Sequence, residues 1–263
     1  GGVNSSVTAS NYVVESGLVD VVLKGNVDFL KNGSGKVVLA QNMEYKGTTN
    51  IGSGVLEIGA GGAAGMVGPG SIFIGESAVL SINRSDDVYL PNEIFGKGRI
   101  ELSGGGSVRF SPNNRMSGGA AISGGTVVML TDDRELGEVA GSGETKLLLS
   151  RATLKIPAGT DVVLSPKRTI ELGAGSSSGL DIQQGGSLEF GGRITGSGTL
   201  VKKGDGLLKL SGSGTYTGDT VIASGSVLVA DSSSGSSRML GQSTGEVKIG
   251  VAGPALLIER SQN

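Results

Sequence analysis

Two clusters of neighbouring carboxylates, Asp86-Asp87 and Asp132-Asp133 with Glu135 close behind, are the residues whose types most invite chemistry. Paired carboxylic acids on either side of a glycosidic bond cleave polysaccharides, one giving a proton while the other attacks or activates water. The spacing argues against that use here. Adjacent side chains on a strand point to opposite faces, so a neighbouring pair is not by itself an acid/base dyad. In a turn the same pair could reach one cation, but calcium asks for six or more oxygens. Each cluster also has an arginine beside it, Arg84 and Arg134, which predicts plain ion pairing in solvated loops. Histidine and cysteine are absent, which excludes Ser-His-Asp and Cys-His catalysis and the usual zinc sites. The glycine strings Gly104-Gly105-Gly106 and Gly61-Gly62-Ala63-Ala64-Gly65 lack the Gly-Lys-Ser/Thr and the following helix that a phosphate cradle needs. No catalytic, cofactor-binding or metal-binding residue is assigned, and no cofactor is expected.

The rest of the composition narrows the partners. The 263 residues carry a formal net charge of −2, with lysine and arginine scattered along the chain. Nucleic-acid binding needs a concentrated positive surface and is not expected. No run approaches the ~20 apolar residues of a membrane-spanning helix, and no Arg-Gly-Asp tripeptide is present.

The elements that would hold any site are short strands. Glycine supplies 49 residues, while Phe and Tyr together supply nine and tryptophan none. Such a chain lacks the aromatic anchors of a compact core but suits a solenoid, whose thin interior needs only Val, Ile and Leu. Runs such as Lys36-Val37-Val38-Leu39, Ser107-Val108-Arg109-Phe110 and Ser187-Leu188-Glu189-Phe190 alternate apolar and polar residues, which sets one face inward and one in water. Two or three such runs make a coil of roughly 20–27 residues, giving on the order of ten coils. No long helix is expected; Arg134 to Val139 offers a single turn that Gly137 interrupts. Gly59 to Gly70, Ser176 to Ser178 and Ser232 to Ser237 read as exposed loops.

The sharpest pattern runs from Gly196 to Val227. It reads Gly-x-Gly-x-Leu-x-Lys-x-Gly-x-Gly-x-Leu-x-Leu-x-Gly, then Thr-Tyr-Thr-Gly-x-Thr-x-Ile-x-x-Gly-x-Val. Alternation predicts Leu200, Leu208, Leu210, Ile222 and Val227 inward. A degenerate copy lies 171 positions upstream, from Gly33 to Ile58, with Tyr45-Lys46-Gly47-Thr48-Thr49 matching Tyr216-Thr217-Gly218-Asp219-Thr220. Tyr45 and Tyr216 are expected to cover a coil corner with their hydroxyls in water.

At these residues the chain resembles the passenger-associated strand repeat of bacterial autotransporters, the exporters of type V secretion. The resemblance implies an all-β fold, a right-handed parallel β-helix, taken here as a single domain over residues 1–263 with repeat units near 33–58 and 196–230. It implies an extracellular or cell-surface setting at a Gram-negative outer membrane. The chain begins Gly1-Gly2-Val3-Asn4 without a basic start or apolar run. The export signal and the C-terminal translocator barrel are therefore expected outside this sequence. The absence of cysteine fits passage through a narrow pore in an oxidising compartment. The expected function is non-catalytic: an adhesin, a self-association module or a host-directed virulence factor. Its partner would be a host-surface or matrix component, or a second copy, without membrane insertion by this segment. The alternative is a polysaccharide-active β-helix lyase or hydrolase.

Overall fold

The computed structural model describes residues 5–139, 145–230, 239–242, 244–250, 253 and 255–259. Contacts divide the chain into two compact units, Gly1–Thr126 with Arg134–Glu138, and Val127–Asp133 with Val139–Asn263. Each is a parallel β-solenoid.

In the first unit, one sheet stacks Tyr12–Val14, Phe29–Lys31, Thr49–Ile51, Ile72–Ile74, Ile94–Gly96 and Arg115–Met116. A second stacks Gly17–Val19, Lys36–Leu39, Gly54–Ile58, Ala78–Asn83, Arg99–Ser103 and Ala120–Ser123. Asp87–Leu90 pairs with Ser107–Phe110 on a further face. The pairing is in register, so like side chains stack. Leu56, Leu80 and Ile100 form one inward row and are all fully buried. Each such side chain contributes about 1.5–3 kcal/mol.

The second unit repeats the plan. One sheet runs through Val127–Met129, Thr153–Ile156, Ser177–Ile182, Thr199–Lys203, Thr220–Ile222 and Val247–Ile249. Another runs through Asp161–Leu164, Ser187–Phe190, Leu207–Leu210, Ser226–Ala230 and Ala255–Glu259. A third holds Thr145–Ser150, Arg168–Leu172, Arg193–Gly196 and Ser213–Gly214. Leu188, Leu208 and Val227 form an inward row here, as do Phe190 and Leu210. All five residues predicted inward are buried.

The all-β solenoid thus matches the sequence pattern. The one helical element among the described residues is a 3-10 turn, Asp133–Leu136, stopped by Gly137 at φ 82. Two loop expectations need correction. Ser177 and Ser178 belong to the strand Ser177–Ile182, and Ser178 is buried. Within Gly59 to Gly70, residues 60–64 are exposed, but Gly65, Val67 and Gly68 are buried. That loop is pinned because the Arg84 guanidinium donates to the carbonyls of Ala63 (2.7 Å) and Gly65. The predicted loop Ser232 to Ser237 lies outside the described residues.

Candidate functional site

Each acidic cluster gives one carboxylate to an ion pair. Arg84 Nε and Nη2 reach the two carboxylate oxygens of Asp86, both at 2.8 Å. This hydrogen bonding holds the Asp86 carboxyl below the usual range. Arg84 is itself buried, so this is not the surface pair expected from sequence. Asp133 pairs with Arg168 at 2.6 Å, a buried residue 35 positions downstream. Glu135 is buried rather than solvated. Among the described residues, no three acidic side chains are grouped to hold a metal ion.

The strongest internal chemistry belongs to two lysines that sequence reasoning passed over. Lys31 and Lys202 are 171 positions apart, and both are buried. Lys31 Nζ donates to the carbonyls of Asn32 (2.6 Å), Gly33 (2.8 Å) and Ser53 (3.0 Å). Lys202 Nζ donates to the matching carbonyls of Lys203 (2.7 Å), Gly204 (2.6 Å) and Ser224 (3.2 Å). Three acceptors use all three ammonium donors, which is what makes a buried charge tolerable. Burial still pushes Lys202 down to about 8, against the pull of Asp181 and Asp205. Lys31 is lowered for the same reason, with Glu15 opposing.

Each clamp is closed by a glycine in the left-handed region, Gly54 and Gly225, both at φ 69. A Cβ on Gly225 would lie 2.6 Å from the Gly206 carbonyl and 2.7 Å from Lys202 Nζ. The Gly54 site is as tight, 2.6 Å from the Gly33 carbonyl and 2.8 Å from Lys31 Nζ. The signal was present in the sequence. Lys202 shares strand parity with inward Leu200, and Lys31 with inward Phe29.

The two tyrosines also differ from expectation. Tyr45 and Tyr216 are fully buried, and their hydroxyls meet Thr49 Oγ1 (2.6 Å) and Thr220 Oγ1 (2.5 Å) rather than water. Burial pushes both phenols up to about 12. A phenol can enter the interior because its one polar atom finds a partner four residues on.

The outward surface of the first unit carries a different arrangement. Register places Val13, Leu30, Asn50, Phe73, Phe95 and Arg115 in one outward column. The Phe73 and Phe95 rings tilt against each other with centroids 5.4 Å apart. Arg115 Nε and Nη2 donate to one Glu93 oxygen at 2.9 and 2.5 Å. Beside this pair is a cavity of about 460 Å³, lined in part by Pro91, Glu93, Asn113, Arg115, Arg134 and Glu138. Just before Pro91 in the chain, Tyr89 is half exposed, with the Arg109 guanidinium 5.6 Å from its ring centre. The alternation Ile72-Phe73-Ile74 is apolar at every position, so sequence alone did not show which ring faces out.

The Passenger-associated-transport-repeat family matches residues 29–58, 101–129 and 200–229. Three segments of the chain therefore carry the repeat of autotransporter passengers. A curated relative, the adhesin BmaC autotransporter of Brucella suis biovar 1 (strain 1330), is 29% identical over 238 residues. That match spans 75% of this chain and 7% of the relative's length. No solved structure gives a significant match. Autotransporter passengers are displayed at the cell surface or secreted, so this chain works outside the cell. Among the described residues, no helix is long and apolar enough to cross a membrane.

The first and last matched segments are the two repeats read from sequence. The middle one was missed, and the structure shows why. Residues 101–129 align with 201–229 at an offset of 100, keeping Gly104, Gly106 and Gly118 but replacing Lys202, Tyr216 and Thr220 by Leu102, Met116 and Ala120. Leu102 and Met116 are as buried as the lysine and tyrosine they replace. The polar marks that made the other copies visible are absent from this one.

Proposed function

We propose that this chain is an adhesive section of an autotransporter passenger and acts by binding, without catalysis. The similarity to a passenger named as an adhesin, across three quarters of the chain, carries the reading. A solenoid suits the task because its side offers a repeating ladder for many weak contacts, which add through multivalency. The partner is a host-surface or matrix component, or a second copy, and the same precursor supplies the translocator barrel. The commitment of Asp86 to Arg84 and of Asp133 to Arg168 supports the non-catalytic reading over a polysaccharide-cleaving one. The test is direct. The purified chain should bind cultured epithelial cells or matrix-coated plates saturably and be displaced by unlabelled chain. Lack of saturable binding to cells, matrix and itself would remove the reading. Release of oligosaccharides from pectin or alginate, abolished by Asp132→Ala, would replace it with the enzyme.

A further inference from the structure

We propose that the outward pair Phe73 and Phe95, with Arg115 and the cavity beside it, binds a neutral oligosaccharide. This rests on the adhesive reading and names its ligand class. Six of the nine aromatic residues, Tyr12, Phe29, Tyr45, Phe110, Phe190 and Tyr216, are buried. The other three, Phe73, Tyr89 and Phe95, retain exposure and gather on neighbouring coils of one unit. Rings left on the outside of a solenoid give up burial that the interior would reward. Phe73 and Phe95 are adjacent in one column, so they present a continuous apolar platform about two rungs long. The C–H faces of pyranose rings pack on such platforms.

The polar part of the site specifies the rest. Arg115 belongs both to the column, beside Phe95, and to the cavity wall. Its ion pair with Glu93 sets a guanidinium and a carboxylate side by side at the platform's end. Paired groups of that kind donate to and accept from neighbouring hydroxyls of one sugar. The charged lining is balanced, Arg115 and Arg134 against Glu93 and Glu138, with Asn113 and Ser111 adding uncharged hydrogen-bonding groups. A strongly anionic ligand would meet two carboxylates there. An uncharged, hydroxyl-rich chain meets matched donors and acceptors over an apolar floor, the usual composition of a small-ligand site.

The experiment places the purified chain on an array of neutral glucan, mannan and galactan oligosaccharides beside hyaluronan, heparin and an unrelated peptide set. At least one neutral series should be retained, with affinity changing less than threefold between low and physiological salt. The double variant Phe73→Ala/Phe95→Ala should weaken retention at least tenfold, and Phe95→Tyr should restore most of it. Melting temperature, measured on every variant, should stay within a few degrees because both rings lie outside the core. Retention of heparin alone, steeply lost with salt, would overturn the proposal in favour of an anionic ligand. Retention of peptides alone, or of no glycan at all, would overturn it too. If the double variant still binds cells like the unaltered chain, this site is wrong while the adhesive reading stands. If the unaltered chain binds neither cells nor glycans, both fall.

Discussion

The repeat at residues 29–58 and the repeat at 200–229 solve one problem in the same way, and the copy at 101–129 solves it differently. The outer copies carry a lysine, a tyrosine and a threonine inside the solenoid, each hydrogen-bonded to a fixed partner. The middle copy puts leucine, methionine and alanine at those positions and keeps the turn glycines. All three share the inward position occupied by Leu39, Phe110 and Leu210, each buried. The outline therefore needs apolar rows and glycine turns, while the polar set is an addition. Buried polar networks raise the stakes: satisfied they fix one arrangement, and half-satisfied they cost more than an apolar filling.

Breaking what all copies share should have the largest effect. Leu210→Asp places an unpaired charge in an inward row and should cost about 3–5 kcal/mol, read by denaturant unfolding. An unchanged midpoint would contradict the inward row.

The glycine that closes the clamp comes next. Gly225→Ala combines left-handed strain with a Cβ driven against the Gly206 carbonyl and Lys202 Nζ, and should cost about 2–3 kcal/mol. The comparison sharpens at Gly125, the matching residue of the unclamped copy. It also has positive φ, 87, but its Cβ would meet nothing nearer than the Gly105 Cα at 4.0 Å. Gly125→Ala should cost only the strain, about 1 kcal/mol. Equal losses at the two sites would dissolve the distinction.

Tyr216→Phe should have an effect as small as that of Gly125→Ala. It removes one hydroxyl from Thr220, which keeps a bond to the Leu240 carbonyl (3.2 Å), so the loss should be about 1 kcal/mol in thermal unfolding. A loss several times larger would mean that the phenol holds more of the coil than its single partner implies.

Much of this molecule is written in its sequence, with gaps that have physical causes. Alternation placed Leu200, Leu208, Leu210, Ile222 and Val227 correctly because strand parity is a rigid rule. The same rule placed Lys31 and Lys202 inward, but the habit of putting lysine in water hid it. The tyrosines were misplaced because an amphipathic ring fits a wet corner or a dry interior, and only the threonine four residues on decides. The Asp133–Arg168 pair spans 35 residues, and no local spacing announces it. Phe73 and Phe95 meet only through register, which emerges from coil length rather than from either strand.

The clamps make the most direct demand on experiment, through pH. Lys202 has a folded pKa of about 8 against 10.5 unfolded, so between these values the unfolded chain binds the extra proton and stability rises with pH. Lys31, also lowered, acts in the same direction. Tyr45 and Tyr216, raised from 10.0 to about 12, act oppositely: their contribution is complete below pH 10 and is lost as pH climbs through 12. Leu102, Met116 and Ala120 of the middle copy do not titrate. The unfolding free energy of the unaltered chain, measured by denaturant from pH 7 to 12, should climb by about 2 kcal/mol from pH 8 to a maximum near pH 10 and then fall. In Lys31→Met/Lys202→Met that climb should vanish while the fall above pH 10 remains. A flat profile in the unaltered chain, or an equal climb in the double variant, would contradict the clamped-repeat account.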